Sequence, residues 1–257
     1  MIRNSFAILF KKLFRNVYYF FREGKTSIIQ KPQVLFGYKW IESKSNGRAY
    51  SKGYYELDLQ RCLRFFLNEK SVFFDIGGHA GYISLLASRY CKAVYTFEPE
   101  PSNFSFIQQI IQLNNIANVQ AIPNAVGSQP GILKLEKGPS SSMGKISDKG
   151  TIEVGVTSVD DFVKKNSIEK IDLIKIDVEG FGAEVLTGMS DALEKWKPVI
   201  FYELHNNEEL VAFKKLKELG YFFFTSSLEG ADLNQRINEF LVAVHSTQLS
   251  FYKLTSA

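Results

Sequence analysis

From residue 71 onward the chain alternates short apolar runs rich in Val, Ile and Phe with longer mixed segments, and this rhythm constrains the fold more than any other feature. The runs are Ser71–Ile76, Ala93–Phe97, Val119–Pro123, Ile171–Asp177 and Pro198–Leu204. Continuous apolar runs of this length, separated by helix-sized stretches, predict parallel strands buried on both faces. The intervening helices are expected near Ala80–Tyr90, Ser102–Asn115, Val159–Lys165, Phe181–Met189 and Glu208–Leu219. Gly220 closes the last helix, a run Tyr221–Thr225 follows, and Asn238–His245 supplies a final strand. The order predicts an α/β fold. With 45% apolar residues in 257, the chain can bury a sizeable core as one unit.

Between residues 127 and 157 the rhythm changes. Ile132–Lys137 and Thr151–Thr157 read as an added strand pair joined by Gly138–Gly150, a segment rich in Ser, Gly and Lys. A loop of that length is either a surface hairpin or a lid over a substrate, and the sequence leaves both open. No internal repeat and no linker divides the body of the chain.

Charge separates the N-terminus from the rest. Residues 1–31 hold seven Lys or Arg against one acid, Glu23, a net +6; subtracted from the chain's +4, this leaves −2 over residues 32–257. The body is therefore not a basic nucleic-acid binder. Two organisational segments are expected: a basic, aromatic-rich helical segment over 1–31 and a domain over 32–257. The N-terminal apolar stretch is broken by Lys11-Lys12, too short for a membrane span of ~20 residues, and no small-residue cleavage site follows it. Its helix either packs its aromatic face on protein, the preferred reading, or lies on an anionic membrane surface through residues 1–25. Cys62 and Cys91 have neither metal-ligand spacing nor the number for a disulfide framework. A reducing, cytoplasmic setting is expected, with the inner membrane surface as its variant.

The stretch Val72–Ser84 carries the first chemistry. A strand runs into a loop holding Asp75, Gly77, Gly78, His79 and Gly81, and a helix follows directly. Glycines at such a turn let the backbone approach a ligand closely. The next strand ends Tyr95-Thr-Phe-Glu98-Pro99, placing an acid 23 residues beyond Asp75, where it can accept hydrogen bonds from both ribose hydroxyls of a nucleoside. The G-x-G-x-x-G spacing of a nicotinamide dinucleotide site is absent. The pattern Asp-x-Gly-x-x-x-Gly instead resembles the first motif of class I S-adenosylmethionine-dependent methyltransferases. There the loop holds the amino-acid end of the cofactor and the second-strand acid holds the ribose. In that comparison Asn124 and Ala125, after the third strand, face the adenine; Asn124 either reaches the base or merely ends the strand.

A more specific resemblance lies downstream. Thr157-Ser-Val-Asp160-Asp161-Phe, Ile171-Asp-Leu-Ile-Lys175-Ile-Asp177-Val-Glu179-Gly180 and Pro198-Val-Ile-Phe-Tyr-Glu203-Leu-His205 resemble the FkbM-type methyltransferase family. So does Asp75–Gly81, although His79 stands where that family usually carries Asn. The resemblance covers roughly residues 50–245. It implies a Rossmann-like sheet of seven strands, the last antiparallel, with helices on both faces. It also implies S-adenosylmethionine as methyl donor and a hydroxyl on a sugar, glycan or natural product as acceptor.

In an open α/β sheet, ligands collect at the carboxyl ends of the strands. Lys175, Asp177 and Glu179 share one side at period two if their strand continues that far, and so do Glu203 and His205 on the next strand. An unpaired buried lysine costs several kcal/mol, so Lys175 must find a partner such as Asp177 or reach the cleft. Methyl transfer to a hydroxyl requires alignment and removal of the acceptor proton. Asp177 is either that base or the structural partner of Lys175, and His205 is either the base or a buried, satisfied histidine. Glu179 either favours the start of the following helix or bonds the acceptor, with Glu203 a second candidate contact. Glu56 is read as a helix-start acid rather than a cofactor contact. A divalent ion on Asp177, Glu203 and His205 is the alternative to a metal-free site and ranks below it. A catalytically silent binding domain and a nicotinamide oxidoreductase are the competing functions.

Overall fold

The computed structural model describes residues 18–19, 21–29, 35, 37–43, 47–138, 144–205, 209–233 and 240–255. The chain forms two compact units, Met1–Tyr55 with Gln112–Asn115, and Glu56–Ile111 with Ile116–Ala257. Residues 1–17 lie outside the described residues, and with them most of the helical segment expected over 1–31. Among the described residues no helix is long and apolar enough to cross a membrane.

The smaller unit pairs β1 (Thr26–Ile28) with β2 (Lys39–Ile41) antiparallel and adds α1 (Gly47–Lys52). Its fully buried Trp40 stacks on Tyr50, which stacks in turn on Tyr55. Asn114 closes the edge of β2 with two hydrogen bonds to the Lys39 backbone.

The larger unit begins with α2 (Leu57–Phe66), then β3 (Val72–Ile76), α3 (Tyr82–Ala87), β4 (Ala93–Phe97), α4 (Pro101–Leu113) and β5 (Val119–Ile122). A side sheet follows, built from β6 (Asn124–Val126), β7 (Gly131–Glu136), β8 (Lys145–Ile146) and β9 (Ile152–Thr157). The chain returns to the main sheet through α5 (Val159–Lys165), β10 (Leu173–Ile176), α6 (Gly182–Thr187), α7 (Ser190–Trp196), β11 (Val199–Tyr202), α8 (Leu210–Glu218), β12 (Tyr221–Phe224) and β13 (Leu241–His245). A short α9 (Leu249–Tyr252) comes last.

The main sheet has the order β12-β13-β11-β10-β3-β4-β5. All its neighbours pair in parallel except those of β13, which runs antiparallel to both β11 and β12. Every residue of β10 and β11 is buried, as expected for central strands covered on both faces. One core cluster joins Phe74, Phe97, Ile174 and Ile200 of the sheet to Phe162 of α5 and Val185 of α6.

Three differences from the sequence reading have local causes. The third strand stops at Ile122, because Pro123 offers no N–H to the ladder, and Asn124 opens β6 in the side sheet. The segment Gly138–Gly150 is not all loop, since Lys145 and Ile146 pair with Glu136 and Leu135. One expected helix, Phe181–Met189, is followed by a second, α7. Asp160 accepts hydrogen bonds from the amides of Asp191 and Ala192 at the α7 start, and Ser158 caps α5 by accepting from Asp161 N.

Candidate functional site

The strand order puts the ends of β10 and β11 beside the glycine loop after β3. Gly77 and Gly78 both donate their amides to the Phe97 carbonyl at 3.0 Å, fastening that loop to the end of β4. Gly77 has φ +83, and a Cβ there would lie 1.9 Å from the Asp177 carbonyl oxygen. Only glycine allows the loop to lie this close to the end of β10. Gly81, also at positive φ, opens α3.

Glu98, at the exit of β4, is 6% exposed. Its Oε2 accepts from His79 N at 2.8 Å, and its Oε1 accepts from Glu100 N at 3.0 Å and Asn103 Nδ2 at 3.4 Å. Burial pushes this carboxyl up to about 7, and those hydrogen bonds only partly oppose the shift. His79 sits at φ 48, and burial takes its imidazole down to about 4, so it is neutral at physiological pH. Pro99 is half-buried between Glu98 and Glu100, whose carboxylate accepts from Ser102 Oγ and Asn103 N at the start of α4.

Lys175 lies among acceptors. Its Nζ donates to Asp177 Oδ2 at 2.9 Å and to the Gly77 carbonyl at 3.2 Å, and stands 3.6 Å from Asp75 Oδ1. Burial works against this charge, yet Asp177, Asp75 and Glu56 together hold the ammonium well above its ordinary value. Asp75 is fully buried and accepts from Ser84 Oγ at 2.6 Å. Burial raises its carboxyl despite Lys175 and Ser84. Asp177 shifts the other way: burial opposes ionisation, but Lys175 and His205 hold the group far below the carboxylate range. Asp177 has both the nearer ammonium and the His205 imidazole, whereas Asp75 is the less exposed of the two acids.

Two further acids surround the imidazole of His205. Its Nε2 meets Asp177 Oδ1 at 3.1 Å, and its Nδ1 lies 3.6 Å from Glu179 Oε2. Burial disfavours the imidazolium, but Asp177, Glu179 and Glu203 outweigh it and raise the group to about 9. Glu203 is raised, first by burial and then by the Asp177 charge. The strands themselves end at Ile176 and Tyr202, so the five residues Lys175, Asp177, Glu179, Glu203 and His205 straddle strand ends and the turns beyond them.

Asp177, Glu203 and His205 can present one ligand atom each within 4.8 Å of one another. Their chemistry suits a divalent ion, but Asp177 already serves Lys175 through one oxygen and His205 through the other. A ligating His205 must also shed the proton that three acids help it hold.

Asn124 and Ala125 lie on β6, which pairs with β9 in the side sheet. Asn124 faces Gly155 of β9, where an added Cβ would lie 2.5 Å from its Nδ2, and Ala125 packs in the side-sheet core with Leu135, Val154 and Val156. Glu56 precedes α2 in a left-handed conformation with no capping hydrogen bond; its charge instead supports Lys175. Sequence reasoning overlooked Ser84, Asn103 and Glu209. Glu209 reads as an ordinary acid at a helix start, and only the folded chain shows it 2.8 Å from His205 N.

Residues 75–239 match the methyltransferase FkbM domain family. A hexuronic acid methyltransferase, AglP of Haloferax volcanii, is 31% identical over 154 residues, covering 58% of this chain and 62% of its own. Methyltransferase 1 of Beauveria bassiana is 27% identical over 154 residues, covering 50% and 61%. The chain thus spans about three-fifths of the length of these two relatives. The solved structure of methyltransferase FkbM from Methylobacillus flagellatus KT is 16% identical, with a TM-score of 0.48, over 69% of this chain and 44% of that one.

Proposed function

The chain belongs to the FkbM methyltransferase family, and from that premise we propose that it transfers a methyl group from S-adenosylmethionine to a hydroxyl of a sugar or related metabolite. Asp75, Gly77, Gly78, His79 and Gly81 form the cradle for the amino-acid end of the donor. Glu98, with Pro99 beside it, receives the ribose hydroxyls. Donor and acceptor then meet above the ends of β3 and β10.

The observation that carries the hydroxyl reading is the contact between His205 and Asp177. The relative's name points to a hexuronic acid, which offers two kinds of oxygen. A carboxylate is already an anion at neutral pH and needs no base, whereas a hydroxyl must lose a proton as it is methylated. Here His205 takes that proton on Nδ1, Asp177 orients the ring through Nε2, and Lys175 keeps Asp177 ionised. Glu179 and Glu203, beside Nδ1 and Asp177, are placed to receive further acceptor hydroxyls.

Transfer in this reading needs no metal ion. Turnover unchanged by a chelator supports that, and loss restored by magnesium or manganese overturns it. The test of the whole reading is calorimetric titration with S-adenosylmethionine, with NAD as control and Glu98→Ala beside the wild type. Saturable donor binding, weakened by Glu98→Ala, supports it. A folded, ligand-free protein that binds neither the donor nor its demethylated product favours a silent binding domain, and preference for NAD favours an oxidoreductase.

A further inference from the structure

The two halves of the cluster arrive on different turns. Asp177 and Glu179 lie on the turn between β10 and α6, and His205 lies on the turn after β11. The sheet ladder joins these turns only at their start, where Glu203 N donates to the Ile176 carbonyl at 3.0 Å; beyond the last paired residues, Ile176 and Tyr202, it reaches neither Glu179 nor His205. One side chain reaches both. Glu209, at the head of α8, is 2% exposed. Its Oε2 accepts from His205 N at 2.8 Å, and its Oε1 accepts from Gly182 N at 3.2 Å and Tyr202 Oη at 3.3 Å. Gly182 is the first residue of α6, so the bond on Oε1 anchors the exit of the Asp177–Glu179 turn and the bond on Oε2 anchors His205.

The packing around this clip leaves no slack. A Cβ on Gly182 would stand 2.0 Å from the Tyr202 hydroxyl oxygen, so glycine is required for that oxygen to approach the helix start. A buried carboxylate surrounded by three donors is strongly tethered. Loss of one oxygen's acceptor capacity frees one turn and leaves a buried N–H without its partner.

We infer that Glu209 is a positioning residue, which locks the two turns together and thereby sets the His205–Asp177 contact. The inference rests on the reading of His205 as proton acceptor, but it concerns geometry that is measurable without any substrate. Glutamine at 209 can accept at only one oxygen; its NH₂ would face one of the two backbone N–H donors. Either the imidazole or the carboxylate turn is then released, and the contact lengthens.

The test is titration of His205 by NMR in the full chain, where only three histidines need assignment. In Glu209→Gln the His205 imidazole should titrate lower than in the wild type by about one unit or more, as it loses Asp177. Tyr202→Phe removes the third donor but leaves both turns held, so its His205 should titrate as in the wild type. A folded Glu209→Gln protein with wild-type His205 titration overturns the inference, even if the variant is less stable. Should that variant not fold, hydrogen exchange on the wild type decides: joint strong protection of the Gly182 and His205 amides supports the clip, and rapid exchange of either overturns it. Absence of donor binding in the calorimetric test would remove the methyltransferase reading and leave these results standing.

Discussion

His205 and Asp177 stand 28 residues apart in the chain and 3.1 Å apart in space, Nε2 to Oδ1, across the gap between two parallel strands. The contact makes the imidazole a stronger base, since the carboxylate stabilises its protonated form and, with Glu179 and Glu203, raises it from 6.5 to about 9 against the effect of burial. It also ties activity to pH. Only the neutral ring accepts a proton, so turnover should rise with pH, reach half its maximum near pH 9 and level off above it. His205→Ala should remove that limb and lower turnover about 10²–10⁴-fold, with donor affinity unchanged. Steady-state rates between pH 6 and 10, with calorimetry alongside, check both; full activity in the variant excludes the role.

The same shift predicts a dependence of stability on pH. The folded-state value lies above the ordinary one, so the contribution of His205 is complete below pH 6.5 and lost as pH rises through about 9. The difference amounts to about 3 kcal/mol at most. Thermal melts should show the wild type losing more stability than His205→Gln between pH 6.5 and 9. Parallel curves would count against the ion pair.

Lys175 is the single described cation that touches both Asp75 and Asp177. Replacing it by methionine keeps the volume but leaves the fully buried Asp75 without its counter-charge and the half-buried Asp177 with His205 alone. Breaking such a buried pair costs about 3–5 kcal/mol. Adding Asp75→Asn should restore part of the loss, because it removes the stranded acid. Urea denaturation of the single and double variants measures this coupling; additive effects would mean that Lys175 does not serve Asp75.

Glycine 77 offers a cleaner contrast. Gly77→Ala should cost about 3 kcal/mol or more, since its φ of +83 and the Asp177 carbonyl both exclude a side chain. Gly131→Ala, with open space at its Cβ position, should change stability by about 0.5 kcal/mol or less. Equal melting temperatures for the two would refute the close approach of the loop to β10.

Much of this was legible in the sequence. Buried parallel strands need continuous apolar runs, so β3, β4, β10 and β11 declared themselves within a residue or two, and Val159–Lys165 was bounded by its own acids and lysines. Lys175 was conspicuous because a lysine in such a run must have a partner, and Asp177 was within reach at i+2. Period two, however, could not show that β10 ends at Ile176, which moves Asp177 and Glu179 onto a turn. Glu209 was hidden for a different reason. Its local setting, an acid at a helix start, already has an ordinary explanation, and its three donors come from two other segments and from a residue seven positions back. Asn124 follows Pro123, which ends the third strand, so Asn124 pairs in the side sheet instead of continuing the main ladder.

Glu98 provides the last prediction. With its carboxyl at about 7, roughly a tenth of it is ionised at pH 6 and about nine-tenths at pH 8. The ionised form is the better acceptor for two ribose hydroxyls. Donor affinity should therefore rise about tenfold between these pH values. His79, at about 4, stays neutral throughout and adds no step of its own, and His205, at about 9, remains mostly charged. Glu98→Gln should bind the donor about as weakly at pH 8 as at pH 6, because an amide keeps one acceptor but cannot ionise. Calorimetry at both pH values, on both proteins, separates the outcomes: an equally steep dependence in Glu98→Gln would assign the titration to another group and remove Glu98 from the ribose.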